Sequence, residues 1–201
     1  MRNFFPFFVI ICALSCTPDS HNSDTEYISN STDTRTLYLI RHSKSSHSDS
    51  SKIDFDRLLL KKGKEDASLM GEKLMQRGVI LDKIIISPSK RTKTTAKRIA
   101  KKLNFEKDSI QHDTILYLCK TNEYISVIKN INPNFKSVAI IGHNPSTIQV
   151  ANHFQKDTIF TSVPTTGIIA IEFKSDSWFT IGHKQGKFLF FDCPKNYKHE
   201  F

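Results

Sequence analysis

The chain has 201 residues, of which 38% are hydrophobic and 24% are charged, so it can bury a sizeable core and is not a disordered chain. Seven glycines and seven prolines exclude collagen-like and proline-rich low-complexity proteins. Lysine and arginine number 29 against 20 aspartates and glutamates, a net charge of +9 that favours anionic partners such as nucleic acid, anionic lipid or phosphorylated substrates.

The N-terminal segment, residues 1–16, has the pattern of a signal peptide. Arg2 precedes an apolar run at residues 4–14, which is shorter than the roughly 20 helical residues that a membrane span needs. Residues 13–16, Ala-Leu-Ser-Cys, resemble a bacterial lipobox, which implies lipidation of Cys16 and an exported, membrane-anchored protein. The alternative is an ordinary signal peptide in which Cys16 is coincidental.

A polar stretch at residues 17–36 follows the leader. Thr, Ser, Asn and Asp supply 14 of its 20 residues, too little apolar surface to offset the entropy of ordering, so it predicts a flexible tether. The folded domain is expected at residues 37–195, with a short tail at 196–201. Export to an oxidising compartment would allow Cys119 and Cys193 to pair, and the sequence leaves that open.

From residue 37 onwards, short continuous apolar runs alternate with helical patterns. Such runs are typical of strands covered on both faces. The alternation predicts an α/β fold, a three-layer α/β/α sandwich around a mostly parallel sheet with an antiparallel edge. The predicted strands cover residues 37–40, 83–86, 115–117, 137–141, 168–173, 178–181 and 188–191, and the predicted helices cover 64–77, 91–103 and 122–131, the first of them stopped by Gly78.

Histidines and arginines follow three of these strands. They are Arg41, His42, Arg91 and His143. In open α/β sheets, ligands bind outside the carboxyl ends of the strands, so we expect these four side chains at one edge of the sheet. Their convergence is a stronger signal than any one of them alone.

This residue set is suited to phosphoryl transfer through a histidine. A neutral imidazole is a good nucleophile near neutral pH, which makes His42 the predicted nucleophile. Stabilising the charge on the phosphoryl oxygens is most of the catalytic work, and Arg41, Arg91 and a protonated His143 would donate to them. The cationic side chains take the place of a metal, so no metal or other cofactor is expected.

Four ordered motifs resemble the histidine phosphatase superfamily, and their wording is most similar to its SixA-type phosphohistidine phosphatase branch. The resemblance covers about residues 36–195 and implies a phosphoglycerate mutase-like fold and a phosphohistidine enzyme intermediate. The motifs are Leu-Tyr-Leu-Ile-Arg-His at 37–42, Ser-Pro-Ser-Lys-Arg-Thr at 87–92, Ile-Ile-Gly-His-Asn-Pro at 140–145, and the tail segments at 164–167, 176–178 and 191–194.

Two further basic residues are candidates for substrate contact. Lys44 follows the first motif, where it either touches substrate or lies in solvent. Arg57 follows an acidic pair, and the SixA-like context implies a role on the substrate side, with a surface ion pair as the alternative.

The sequence departs from the family pattern at two points. Ser43 stands where glycine is usual, so the backbone must tolerate a Cβ there. The family's proton-donating acid is not evident, and the acids nearest to residues 115–117 are Asp113 and Glu123. An alkoxide leaving group needs a proton, whereas imidazole leaves with far less help, so the missing acid favours cleavage of a P–N bond over a phosphate ester.

Several functions stay open. The favoured one is a metal-independent phosphohistidine phosphatase, and the alternatives are an exported phosphomonoesterase acting on a small compound or a weakly catalytic module that binds phosphorylated ligands. The basic stretch at 90–102 has its lysines opposite the apolar face, as an ordinary solvated helix does. No nucleic-acid partner is therefore expected, and the predicted partners are a phosphorylated substrate and the membrane.

Overall fold

The computed structural model describes residues 33–46, 54–156 and 159–197. The predicted signal peptide, Cys16 and most of the predicted tether lie outside the described residues, as do the last four residues of the chain. No helix in the described part of the chain is long and apolar enough to cross a membrane.

A single six-stranded sheet forms the centre of the described structure, in the order β3-β2-β4-β1-β5-β6. The first four of these strands run parallel, and β5 and β6 add an antiparallel edge beside β1. The predicted mostly parallel sheet with an antiparallel edge is confirmed. The strands are β1 (Thr34–Arg41), β2 (Lys83–Ile86), β3 (Ile110–His112), β4 (Ser137–Gly142), β5 (Ile168–Lys174) and β6 (Lys187–Asp192).

Helices cover both faces of the sheet, so the predicted three-layer α/β/α sandwich is confirmed. Two helices pack against each other in one layer, and the other two form the opposite layer. The last of the four helices follows the third site motif and has no counterpart among the predicted helices. They are α1 (Lys61–Gln76), α2 (Lys90–Lys102), α3 (Thr121–Lys129) and α4 (Ser146–Phe154).

The central strand β1 shows why its apolar run is continuous. Side chains alternate between the faces of a strand, so Leu37 and Leu39 join the core under α3 and α4, while Tyr38 and Ile40 join the core under α1 and α2. The two leucines and Ile40 have no exposed surface. Each such burial stabilises the fold by about 1.5–3 kcal/mol, which fixes the register that carries the site.

The start of β1 corrects the predicted tether boundary. The strand begins at Thr34, so residues 34–36 belong to the sheet rather than to the tether. Arg35 is buried, and its guanidinium donates to the carbonyl oxygens of Ser175 (3.0 Å) and Pro133 (2.8 Å). These carbonyl oxygens accept the hydrogen bonds that water would accept if residues 34–36 were part of a solvated tether.

The predicted strand at residues 178–181 is a turn. Trp178 and Ile181 are buried and Phe179 is 70% exposed, a spacing of three rather than the alternation of a strand. The Trp178 indole N–H donates to the Phe135 carbonyl (2.6 Å), and the Ser175 hydroxyl binds the carbonyl of Ser177 (2.8 Å). The Ser175 bond is local and competes with strand pairing, and the Trp178 bond ties the indole to a residue 43 positions away.

The predicted strand at 115–117 is also wrong. The strand in this region is β3, three residues long, and Thr114–Leu116 forms a 3-10 turn. The Asp113 carboxylate accepts a hydrogen bond from the backbone N–H of Ile115 (2.9 Å), which caps the turn and ends the strand before the apolar residues.

Candidate active site

The ends of β1 and β4 bring the two histidines together. The register pairs Arg41 with Gly142, and the backbone N–H of His42 donates to the Gly142 carbonyl (3.0 Å). His42 and His143 are therefore the first residues beyond two adjacent parallel strands. Their ring centroids lie 5.1 Å apart.

His42 is held in the tautomer that a nucleophile needs. Its Nδ1 lies 2.8 Å from the Ser43 carbonyl oxygen, which can only accept, so Nδ1 carries the proton and Nε2 keeps its lone pair. Burial lowers the pKa of His42 to about 3; the Ser43 hydrogen bond opposes this shift, and the nearby His143, Arg91 and Arg41 add to it. The ring is therefore neutral at pH 7 and available for attack.

His143 is neutral as well in this state. Burial, followed by the charge of Arg91, lowers its pKa to about 4. Its Nδ1 accepts from Nη2 of Arg91 (3.3 Å), because a guanidinium has only donors, and its Nε2 donates to the Ser87 hydroxyl (2.8 Å). The sequence analysis predicts a protonated His143, whereas the ring is neutral in this structure. A phosphoryl dianion beside the ring would raise the pKa of His143 and so favour the protonated form.

Arg91 lies in the first turn of α2 and is almost fully buried. The Ser89 side chain accepts from the backbone N–H of Thr92 and so caps the helix that carries Arg91. The Nη1 atom of Arg91 donates to the Asp54 carbonyl, and Nη2 donates to the Asp54 carboxylate (2.8 Å). Its Nε is buried and has no acceptor among the described residues.

Arg41 repeats this pattern at the end of β1. Its Nη1 donates to the Val163 carbonyl (2.8 Å), and its buried Nε has no acceptor within the described part of the chain. A buried donor without an acceptor costs about 1–3 kcal/mol, so two of them beside a pair of histidines require an explanation. An anion with several acceptor oxygens provides one.

Asp54 is a site residue that the sequence reasoning missed. Its carboxylate accepts from Arg91, from Nη1 of Arg57 (2.8 Å) and from the Tyr117 hydroxyl (3.0 Å). Burial raises its pKa, but the hydrogen bonds from Arg57, Arg91 and Tyr117 outweigh burial and hold that pKa well below the usual range. The spacing Asp54-x-x-Arg57, a possible i, i+3 ion pair, was the signal available in the sequence.

Residues 37–116 match the sequence profile of the histidine phosphatase superfamily (branch 1). The similarity to this superfamily covers 80 of the 201 residues. Over 70 residues it is 40% identical to the mitochondrial serine/threonine-protein phosphatase PGAM5 of Xenopus tropicalis, a match that covers 35% of this chain and 24% of that protein. The chain thus corresponds to about a quarter of that relative's length.

Solved structures share the fold of this chain. The protein histidine phosphatase SixA, in complex with tungstate, superposes with a TM-score of 0.70 at 19% identity, covering 81% of this chain and 99% of that chain. A phosphoglycerate mutase from Bacillus anthracis superposes with a TM-score of 0.59 at 13% identity, covering 75% and 92%. The predicted phosphoglycerate mutase-like fold is confirmed.

Arg57 and Lys44 differ in their surroundings. Arg57 donates to the Ser46 carbonyl (2.7 Å) and the Ser45 hydroxyl (2.9 Å) as well as to Asp54, so it holds the Asp54 carboxylate in place. The Lys44 side chain is exposed, and its backbone carbonyl accepts from Leu60 (3.0 Å).

The Ser43 hydroxyl lies in the interior. Ser43 is fully buried, its backbone N–H donates to the Thr95 hydroxyl (3.0 Å), and its own hydroxyl accepts from Thr166 (2.8 Å). Both hydrogen bonds hold the backbone whose carbonyl orients His42. In this domain, serine at the usual glycine position is accommodated.

The acids nearest in sequence, Asp113 and Glu123, cap local backbone. Asp113 accepts from Ile115, and Glu123 accepts from the backbone N–H of Lys120 (2.7 Å).

The described residues contain no group of three or more His, Cys, Asp or Glu side chains placed to hold a metal ion. Cys119 and Cys193 are both free thiols, so the two do not pair in this structure.

Proposed function

We propose that the chain is a phosphatase that works through a phosphohistidine intermediate on His42. The observation that carries the proposal is the arrangement around that ring. Its Nδ1 proton is donated to Ser43, and Arg41 and Arg91 each have a buried Nε donor without an acceptor among the residues that the structure describes. SixA was solved with tungstate, a tetrahedral oxyanion, and we expect an anion of the same shape to bind here.

The first chemical step is attack by Nε2 of His42 on phosphorus. A P–N or P–O bond of the substrate breaks as the N–P bond to His42 forms, and the electron pair of the broken bond leaves with the departing group. The two arginines neutralise the phosphoryl oxygens, and His143 joins them as a donor once the dianion raises its pKa.

The second step is hydrolysis of the phosphoenzyme. Because the Ser43 carbonyl keeps the proton on Nδ1, the phosphorylated ring is a cation and leaves phosphorus as neutral imidazole. Water supplies the incoming oxygen and releases a proton, which gives inorganic phosphate and the starting His42. No acid is needed to protonate this leaving group.

Phosphohistidine is the proposed substrate. An ester oxygen needs a proton from a general acid as it leaves, and general acids contribute about 10²–10⁴-fold in rate. Asp54 is the carboxylate in the site, and its low pKa makes it a poor proton donor at pH 7. A substrate that already carries a proton on its leaving group avoids this difficulty, and SixA, which shares the fold, is a protein histidine phosphatase.

The test is phosphate release from a phosphohistidine peptide and from p-nitrophenyl phosphate, measured side by side on the full chain in EDTA. We expect faster release from the peptide and loss of both activities in His42→Ala. The matched control is His112→Ala, an exposed histidine on β3, which should retain both. A faster ester reaction would contradict the substrate, and unchanged activity in His42→Ala would contradict the intermediate.

We also propose that the protein is exported and anchored to a membrane through a lipid on Cys16. The support is the leader sequence, with its basic start, short apolar run and lipobox-like Ala-Leu-Ser-Cys. Incorporation of a labelled fatty acid into the wild-type chain but not into Cys16→Ser is the expected result. Equal labelling of both chains, or of neither, would contradict it.

A further inference from the structure

A carboxylate and two aromatic rings lie together beside His143. The Tyr117 ring meets the His143 ring edge-on at a centroid distance of 5.8 Å, and Phe55 meets Tyr117 edge-on at 5.2 Å. The Tyr117 hydroxyl donates to Asp54, whose side chain keeps 44% of its surface exposed. Phe55 and Tyr117 are half-buried, so each ring still presents surface to solvent.

These three side chains match the chemistry of a protonated imidazole. A planar cation is attracted to aromatic faces. Its N–H is best accepted by an ionised carboxylate, because a charge-assisted hydrogen bond is about twice as strong as a neutral one. Asp54 is held ionised by Arg57, Arg91 and Tyr117, and the exposed part of its carboxylate can take a further donor.

We infer that Asp54, Phe55 and Tyr117 form a leaving-group subsite for the protonated imidazole ring of a phosphohistidine side chain. The inference rests on the proposed function, since it assigns a place to the ring that leaves when His42 takes the phosphoryl group. The three residues proposed to hold the phosphoryl oxygens, Arg41, Arg91 and His143, form the phosphate clamp. Asp54 and Tyr117 connect the subsite to this clamp, because Asp54 binds Arg91 and Tyr117 contacts His143.

The reaction in this subsite balances without a proton donor. One nitrogen of the substrate ring is bonded to phosphorus and the other carries the proton that Asp54 accepts as a hydrogen bond. When His42 Nε2 attacks, the P–N electron pair returns to the ring, which leaves as neutral imidazole with its proton still in place. The subsite thus favours a leaving group that arrives protonated, and gives no such help to an alcohol.

A competing role for Asp54 is to hold Arg91 in position and nothing more. Both terminal nitrogens of Arg91 donate to Asp54, one to its backbone and one to its carboxylate. That role would slow every substrate to the same extent. A leaving-group subsite changes the preference between substrates, so the ratio of two activities separates the roles.

The experiment compares kcat/KM for a phosphohistidine peptide and for acetyl phosphate, with full-length wild type, Asp54→Asn and Tyr117→Leu. Acetyl phosphate releases acetate, which needs neither a proton nor an aromatic contact. We expect each variant to lower the ratio of peptide to acetyl phosphate activity about 10-fold or more, the size of a lost charged hydrogen bond. Tyr117→Phe keeps the ring and should lower the ratio less than Tyr117→Leu.

The matched control is Asp56→Asn. Asp56 lies on the same 3-10 turn, is 41% exposed and pairs with Lys90 outside the clamp, so its ratio should stay within about twofold of wild type. An unchanged ratio in Asp54→Asn, with both activities lowered equally, would overturn the subsite while leaving the phosphatase intact. Acetyl phosphate turnover that does not depend on His42 would overturn the proposed function itself, and the subsite with it.

Discussion

Two parts of the site are built in different ways. Arg41, His42 and His143 lie at the ends of two adjacent parallel strands, where the backbone hydrogen bonds between the strands fix the positions of these residues. Asp54 and Tyr117 lie on short turns and are positioned by side-chain contacts with the clamp. The comparison separates a part positioned by the sheet, to which we assign the chemistry, from a part positioned by side-chain contacts, to which we assign the choice of substrate.

The largest effect is expected in the clamp. Arg91→Ala removes the guanidinium that joins both parts, and loss of a donor to the transition state costs about 10²–10³-fold in kcat. Arg98→Ala, an exposed arginine on the same helix, is the matched control and should be near wild type. Steady-state kinetics with a phosphohistidine peptide measures both variants. Equal kcat values for Arg91→Ala and Arg98→Ala would contradict the role assigned to Arg91.

The part positioned by the sheet also depends on a glycine in α1. A Cβ on Gly63 would lie 2.1 Å from the Lys44 carbonyl oxygen, two residues beyond His42. Gly63→Ala should therefore move this backbone, destabilise the fold by about 1–3 kcal/mol and lower kcat. Chemical denaturation and kinetics measure the two effects.

Gly78→Ala is the comparison for Gly63→Ala. A Cβ on Gly78 meets nothing within 4 Å, but its φ of +70° disfavours alanine by about 1 kcal/mol. This variant should lose some stability and keep its kcat. If both variants keep wild-type kcat, the backbone next to His42 is not a rigid element of the site.

Acid should weaken the fold through the histidine pair. The pKa values of His42 and His143 fall to about 3 and about 4, against about 6.5 in an unfolded chain. Between pH 6.5 and 4 the unfolded chain binds more protons, so the free energy of unfolding decreases as the pH falls. The loss by pH 5 is about 1–2 kcal/mol for each histidine.

Urea denaturation at pH 7 and pH 5 measures this loss. A double variant, His42→Gln with His143→Gln, removes both titrating rings and should lose less stability over the same interval than wild type. An equal loss in the two proteins would show that the strand-end histidines titrate normally.

The smallest effects are expected from the basic residues outside the clamp. Lys44→Ala removes an exposed side chain and should change kcat/KM by no more than about threefold. Arg57→Ala frees the Asp54 carboxylate and should lower the preference for phosphohistidine over acetyl phosphate by more than Lys44→Ala does. The reverse order would place Lys44, and not Arg57, on the substrate side.

The two parts of the site also differ in how well the sequence predicts them. The strand-end residues can be predicted from the sequence because a continuous apolar run locates a buried strand. The residue that follows the run then lies at the carboxyl end of that strand. Arg91 is readable for the same reason, since only a short loop separates β2 from α2. The three layers and the mostly parallel sheet also follow from the alternation of strands and helices.

The rest depends on contacts between segments distant in sequence. Asp54 meets Arg91 from 37 residues away and Tyr117 from 63, and no periodicity reports such a pairing. Residues 178–181 look like a strand in composition, but the Trp178 hydrogen bond to Phe135 makes them a turn. Helix α4 escaped prediction as well, although four of its nine residues, Thr147, Val150, Ala151 and Phe154, are fully buried.

The most direct test of the account is to trap the phosphoenzyme. The full chain is mixed with a phosphohistidine peptide, quenched in alkali, which preserves phosphohistidine, and mapped by mass spectrometry. We expect one phosphoryl group on the peptide that contains His42, lost on brief acid treatment and absent in His42→Ala. A phosphoryl group on another residue, or one that survives acid, would contradict His42 as the nucleophile.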